Sequence, residues 1–227
     1  MQPPNWARRE RDLHDATIVV ALAFHFYCAL RFPNLAWADE LFQTVEQGHR
    51  FAFGYGVIPW EFRDGIRSWV LPGMLGLVMK ATAWLGEGSA GYLMALKIFL
   101  AICSLPPVAV AMAWARREKL PHAWLAGLAT AFWFELVYFS SKALTEVFAG
   151  YAIPVALYWC MRAREDTLHK RALLYAGLAW GLAVGFRIHL APAAGVAMLF
   201  TCRADLKKWA PILAGGGAVV LAFGLLD

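Results

Sequence analysis

Two adjacent carboxylates, Asp39 and Glu40, and a distant guanidinium, Arg187, are the side chains whose setting most invites chemistry. All three stand at the ends of apolar stretches, where water meets a low-dielectric phase. In the run from Trp37 to Arg50, helical spacing puts Asp39, Gln43, Glu46, Gln47 and Arg50 on one polar face and turns Leu41, Phe42 and Val45 elsewhere. Partial desolvation there can raise a carboxylate toward the range of a useful base. The same two acids equally suit a solvated helix start, complementing the positive end of the dipole. Arg187 lies in a turn between two short apolar stretches, and a guanidinium so placed is costly without an anionic partner. With Lys142 it could form a pocket for a lipid-linked phosphate, His189 adding a donor. The alternative is internal: Glu146 partners Lys142 or Arg187, and His189 is an interfacial residue with no ligand. In the run from Trp60 to Ser68, Arg67 either reaches a lipid phosphate or anchors in the headgroups. A Mg or Mn ion held by Asp39 and Glu40 with Glu61 or Asp64 is another use of the acids.

The elements that must position these groups follow from composition. Of 227 residues, 60% are hydrophobic and 16% charged, with 11 Trp and 15 Phe, which is too apolar for a soluble domain. A disordered tail, a nucleic-acid module and a small disulfide scaffold are excluded, since each needs more charge or fewer large apolar side chains. The net charge of +5 therefore reports loop orientation in a membrane. Apolar stretches run over about 16–32, 68–85, 92–115, 120–139, 143–161, 172–186, 190–202 and 209–226. Any that cross must be helical, because hydrocarbon offers backbone groups no partner.

Loop charge selects among topologies. If the 68–85 stretch lies along the outer interface, the basic clusters at Arg8–Arg11, Arg116–Lys119, Arg162–Arg171 and Arg203–Lys208 share the cytoplasmic side, 13 Lys and Arg against 5 in the outer loops. The sequence thus predicts an all-α integral membrane module, 1–227, with seven crossings and an outer loop over 33–91 containing the interfacial helix. Arg8, Arg9 and Arg11 before an apolar run, with Ala36-Trp37-Ala38 beyond, imitate a secretory signal; Arg31, Pro33 and the apolar chain downstream favour an uncleaved first span. Cys28, Cys103, Cys160 and Cys202 lack metal-site spacing and are expected to pack. The spans at 172–186 and 190–202 reach only about 20 to 22 Å at 1.5 Å per residue, against a core of about 30 Å, so Arg187 is held below the outer surface.

Several of these residues together resemble a known family. Ala38-Asp39-Glu40-Leu41-Phe42-Gln43 with Glu46, then Phe53-Gly54, Trp60-Glu61-Phe62, Ile66-Arg67-Ser68 and Pro72, resembles the first outer loop of glycosyltransferase family 22. Those are polyprenol-phosphate-mannose-dependent mannosyltransferases of GPI-anchor and N-glycan assembly, with the fold called GT-C. Ser141-Lys142-Ala143-Leu144-Thr145 looks like the family's second outer motif, and Gly185-Phe186-Arg187 like its later Gly/Arg motif. The chain departs from the pattern at Trp37-Ala38, where His-Pro or a similar pair is usual, at Lys142, where Arg is usual, and at Glu146, where Asn is expected. Members are about twice this length, so the resemblance implies an N-terminal portion, with a C-terminal half or partner subunit.

What the resemblance implies is an inverting transfer of mannose or a related hexose from a polyprenyl (dolichyl) phosphate to a hydroxyl of a lipid or glycan acceptor, on the outer or lumenal face. Asp39 is then the base and Glu40 its support or the acceptor's orienter. Arg187, Lys142 and Arg67 hold the departing phosphate, and Gln43, Glu46, Trp60, Glu61 and His189 contact substrate. No metal is required, because a lipid phosphate so held leaves readily. The rivals from other classes are a small transporter or channel, with intramembrane charges lining a path, and a non-catalytic subunit that binds a lipid carrier. Only two Asn, Asn5 and Asn34, and the excess of Arg over Lys favour a bacterial plasma membrane, with the ER membrane as the alternative.

Overall fold

The computed structural model describes residues 5–32, 38–165, 169–203 and 205–227. Pro33, Asn34 and Trp37 of the outer loop lie outside the described residues, as does the Arg8 side chain of the basic tail. Along the chain run α1 (Asn5–Arg31), α2 (Ala38–Glu40), a π turn (Leu41–Val45), α3 (Glu46–Phe53), α4 (Trp60–Arg63), α5 (Val70–Ala81) and a 3₁₀ turn (Ala83–Leu85). Then follow α6 (Ala90–Cys103), α7 (Pro106–Arg117), α8 (Ala123–Ala131), α9 (Phe134–Phe139), α10 (Thr145–Glu165), α11 (His169–Phe186), a 3₁₀ turn (Ile188–Leu190), α12 (Ala191–Cys202) and α13 (Leu206–Leu226). No strand occurs among the described residues. Arg9–Arg31, Ala90–Arg117 and Leu206–Leu226 are long and apolar enough to cross a bilayer, and Val70–Ala81 and Ile188–Cys202 are shorter apolar helices. The chain is an all-α, multi-pass membrane protein.

Two compact units divide it. The first comprises Met1–Ala36 and Thr82–Lys142, the second Trp37–Ala81 and Ala143–Asp227. In the first, α1 packs on α6, α7 and α8. The apolar stretch over 92–115, expected as one span, is interrupted at Ser104 and Leu105, because Pro106 and Pro107 have no N–H to continue the ladder. The 120–139 stretch likewise divides at Phe132 and Trp133, where the backbone turns extended. That break frees the Ala131 carbonyl, which a continuous helix would have used.

His25 answers both interruptions. Its ring is fully buried, with Nε2 2.8 Å from the Ala131 oxygen and Nδ1 2.7 Å from the Ser104 hydroxyl. A carbonyl only accepts, so Nε2 carries the proton. Ser104 lies in turn 2.7 Å from the Ala101 carbonyl, giving its proton to that oxygen or to Nδ1. Breaks in a membrane helix are tolerated where such side chains re-satisfy the freed groups.

The second unit is built on small residues. Ala152, Ala156, Ala163, Ala172, Ala176 and Ala183 are all buried in one cluster with Leu173, Trp180 and Ile212. Small side chains let helices meet backbone to backbone, where dispersion supplies what the hydrophobic effect cannot inside lipid. The tightest contact is α11 against α13: a Cβ on Gly177 would run into the Ile212 carbonyl oxygen, and one on Gly181 would lie 2.7 Å from that of Gly216. In contrast, Gly150 and Gly195 have open space where a methyl would go.

Two outcomes follow for stability in detergent. Gly177→Ala should lower the melting temperature by roughly 5 °C or more through overpacking, with Gly195→Ala close to unchanged; equal melting of the two would remove the backbone contact as a determinant. His25→Leu should cost about 1–3 kcal/mol by stranding the Ala131 carbonyl, and His25→Gln should recover part of it in the same melting assay.

Candidate functional site

The acidic segment gets its orientation from an irregular turn. Between α2 and α3 the backbone widens, with the Glu46 N–H bonding the Leu41 carbonyl five residues back. Thr44 supplies the cause: its hydroxyl stands 2.5 Å from the Glu40 carbonyl oxygen and 2.5 Å from that of Ala143, competing with the backbone donor for a carbonyl four residues earlier. The two acids just before the turn face different ways. Asp39 is exposed and faces a cleft, whereas Glu40 is only 4% exposed and accepts the Ala143 N–H at 3.3 Å. Glu40 and Thr44 therefore bind the first outer segment to the strip that opens α10.

Further along α3 the polar residues serve the loop that follows it. Glu46 accepts the Val57 N–H at 2.9 Å, and Gln47 donates to the carbonyls of Phe42 and Val57 at 2.9 and 2.8 Å. Gly54 makes the turn possible, with φ 86° at the end of α3. Gln43 donates to Glu61 at 3.1 Å, and Trp60, at the head of α4, is exposed. The next turn is held by the Asp227 carboxylate, which accepts from the Ser68 hydroxyl at 2.9 Å and the Trp69 N–H at 2.7 Å.

Opposite, α11 ends at Phe186 and Arg187 turns extended, its N–H bonded to Ala183 and its carbonyl to the Leu190 N–H. Its guanidinium pairs with Glu146, on the first turn of α10. The Arg187 side chain is 18% exposed and that of Glu146 53%. Arg187 Nε is buried and finds no hydrogen-bond partner among the described residues. Burial and the neighbouring Arg67 weaken the guanidinium's hold on its proton, while Asp39 strengthens it; as an arginine it stays charged. Arg67 and Asp39 thus both act on Arg187, in opposite senses.

These groups line one cleft of about 290 Å³ in the second unit, with Gln43, Thr44, Glu146, Ile188, His189 and Asp227. Of the residues expected to do chemistry, Asp39, Gln43, Arg67, Arg187 and His189 line it; Glu40, Glu46, Trp60, Glu61 and Lys142 do not. Lys142 belongs to the first unit, where it is buried, its ammonium 5.3 Å from the centre of the Tyr138 ring. For Arg187 the structure realises the internal pairing with Glu146. Thr44 was not singled out by sequence reasoning; a hydroxyl four residues after Glu40 was the available sign. Among the described residues, no three or more His, Cys, Asp or Glu converge as a cation's ligand set would require. Chemically, the cleft offers a solvent-facing carboxylate that can take a proton and two guanidiniums that can hold an anion.

The chain is similar in sequence to several known proteins. The chain is 32% identical over 155 residues to GPI mannosyltransferase 3 of Yarrowia lipolytica, covering 65% of this chain and 30% of that protein. It is 32% identical over 132 residues to GPI mannosyltransferase 3 of Drosophila melanogaster, covering 58% and 23%. With human GPI alpha-1,2-mannosyltransferase 3 it shares 33% identity over 89 residues, covering 37% and 16%. The matched region thus spans less than a third of the length of these relatives. No solved structure matches the chain. The model of the Alg9-like mannosyltransferase family matches residues 17–226, nearly the whole sequence, and the chain belongs to that family.

Proposed function

We propose that this chain carries the reaction cleft of a membrane glycosyltransferase that moves mannose from a polyprenyl phosphate to an acceptor hydroxyl, with inversion. The observation that supports it is that Asp39 and Arg187, far apart in sequence, line one cleft together with Arg67. The relatives' names, GPI mannosyltransferase 3 and GPI alpha-1,2-mannosyltransferase 3, support mannose as the sugar and a glycolipid as the acceptor.

In this reading the acceptor oxygen attacks the anomeric carbon from the side opposite the phosphate. Its bond to carbon forms as the bond from carbon to the phosphate oxygen breaks, and the electron pair leaves with the phosphate. An alcohol is too weak an acid to ionise beforehand, so the Asp39 carboxylate takes the proton as the new bond develops. Charge grows meanwhile on the departing oxygen, where Arg187 and Arg67 stabilise it. Those guanidiniums fill the electrostatic role for which a divalent cation would otherwise serve. Glu40 is a positioning residue: tied to the Ala143 N–H, it fixes the short helix from which Asp39 projects. His189 and Gln43, also on the lining, are placed to contact sugar or acceptor. The cleft opens on the outer or lumenal face, and a bacterial plasma membrane is the favoured setting.

The test is transfer of radiolabelled mannose from undecaprenyl phosphomannose in membranes containing the protein. Asp39→Asn should lower the rate by about 10²–10⁴ and Arg187→Gln by about 10²–10³ at unchanged protein level. Full transfer by Asp39→Asn would dismiss the base assignment, and no transfer by the parent protein would dismiss the donor. Separately, in a background lacking the four native cysteines, Asp64→Cys and His189→Cys should both label from the outer face with an impermeant maleimide; labelling from opposite faces would disprove a shared cleft.

A further inference from the structure

The cleft is oddly charged for a phosphate site. Its lining includes the carboxylates of Asp39, Glu146 and Asp227 but the guanidiniums of only Arg67 and Arg187, with His189 as a further titratable side chain. Acids outnumber permanent cations. A pocket built simply to attract phosphate would be expected to show the reverse.

Each carboxylate has a different employment. Asp227 is committed to the Ser68 hydroxyl and the Trp69 N–H, and Asp39 faces the acceptor side as the base. Glu146 is half exposed on the first turn of α10, its second oxygen 3.3 Å from the Thr145 hydroxyl, and it sits directly on the guanidinium that would hold the phosphate. Arg187 keeps one buried donor, Nε, unused by the pair. An anion that engages Arg187 from the cleft therefore does so at close quarters with the Glu146 carboxylate.

Such an arrangement discriminates by charge. The donor of the proposed reaction is a phosphodiester with one negative charge, whereas the spent carrier is a phosphomonoester of about −1.5 to −2 near neutral pH. Transfer adds that charge in place, because the electron pair of the broken bond stays on phosphate while the acceptor's proton goes to Asp39. Once Asp39 returns its proton to water, the more highly charged monoester faces three carboxylates across two guanidiniums. Repulsion from a nearby carboxylate scales with the charge it meets, so it penalises the product more than the substrate.

We propose that Glu146 is a specificity-determining residue: its carboxylate, paired with Arg187, makes the cleft prefer a lipid phosphodiester over a lipid phosphomonoester, so that the donor is held and the spent carrier is expelled. This rests on the polyprenyl-phosphate reading above. The experiment measures binding of undecaprenyl phosphomannose and undecaprenyl phosphate to the purified full chain in detergent micelles at pH 7.5. The parent protein should bind the diester about fivefold tighter than the monoester. Glu146→Gln should strengthen monoester binding on the order of tenfold and diester binding less than about threefold, erasing the preference. Glu146→Asn should do the same, and the melting temperature of each variant reports whether it is folded. A parent protein that binds the monoester as tightly as the diester overturns the proposal without any variant. So does an unchanged preference in folded Glu146→Gln and Glu146→Asn. If the parent binds neither lipid, the donor reading itself has failed, and this inference with it.

Discussion

A guanidinium withdrawn from water has to be neutralised where it stands, and the ends of several elements in the second unit meet that requirement for Arg187. Its side chain is mostly buried at the turn between α11 and α12, where an unpaired positive charge would be expensive. Glu146 on α10 meets it directly, and Asp39 acts on it across the cleft. The second arginine, Arg67, works in the opposite sense. Two like charges and three carboxylates line one small cleft, so an added anion meets guanidiniums that the neighbouring acids already share. The electrostatics that keep the turn stable in the absence of a ligand are the same ones that receive a ligand.

Holding those groups together is a matter of backbone contact more than of large side chains. Glu40 and Thr44 reach the N–H and carbonyl of Ala143, so the first outer segment is fixed to the start of α10 by groups that do not depend on the identity of residue 143. At the other edge, Gly177 and Gly181 let α11 lie against the carbonyls of α13, which places the end of α11 and hence Arg187. Polar anchoring on one side and glycine packing on the other place the cleft, and Thr44 and Asp227 on its lining serve as anchors themselves.

Much of the architecture could be read from composition. So few charges among so many aromatic and aliphatic residues leave no soluble alternative, and the helical class follows from the impossibility of unpaired backbone in lipid. Pro106 and Pro107 were a sign of one break that the reading of 92–115 as a single span passed over; the break at Phe132 had no proline or glycine to mark it, and the buried ring of His25 on the Ala131 carbonyl explains how it is tolerated. The candidate site was legible residue by residue but not in its pairings. Spacing put Asp39 and Glu46 on one helical face, yet a π turn intervenes and Glu46 is used by the Val57 N–H. Spacing was also silent on which of the adjacent acids turns inward, since that depends on where Ala143 lies. Glu146 could be recognised only as one of two outcomes for Arg187, because a charge pair between distant segments leaves no trace in local periodicity.

The widened turn between Leu41 and Val45 has an implication for how this site could diverge. A π turn amounts to one residue more than a regular helix would need. Loss of a single codon there would restore even winding and swing everything before it by about 100° about the helix axis. Asp39 would no longer look into the cleft, while Arg187 and its surroundings stayed as they are. The length of this turn alone thus governs where the acidic side chain points, with that side chain itself untouched.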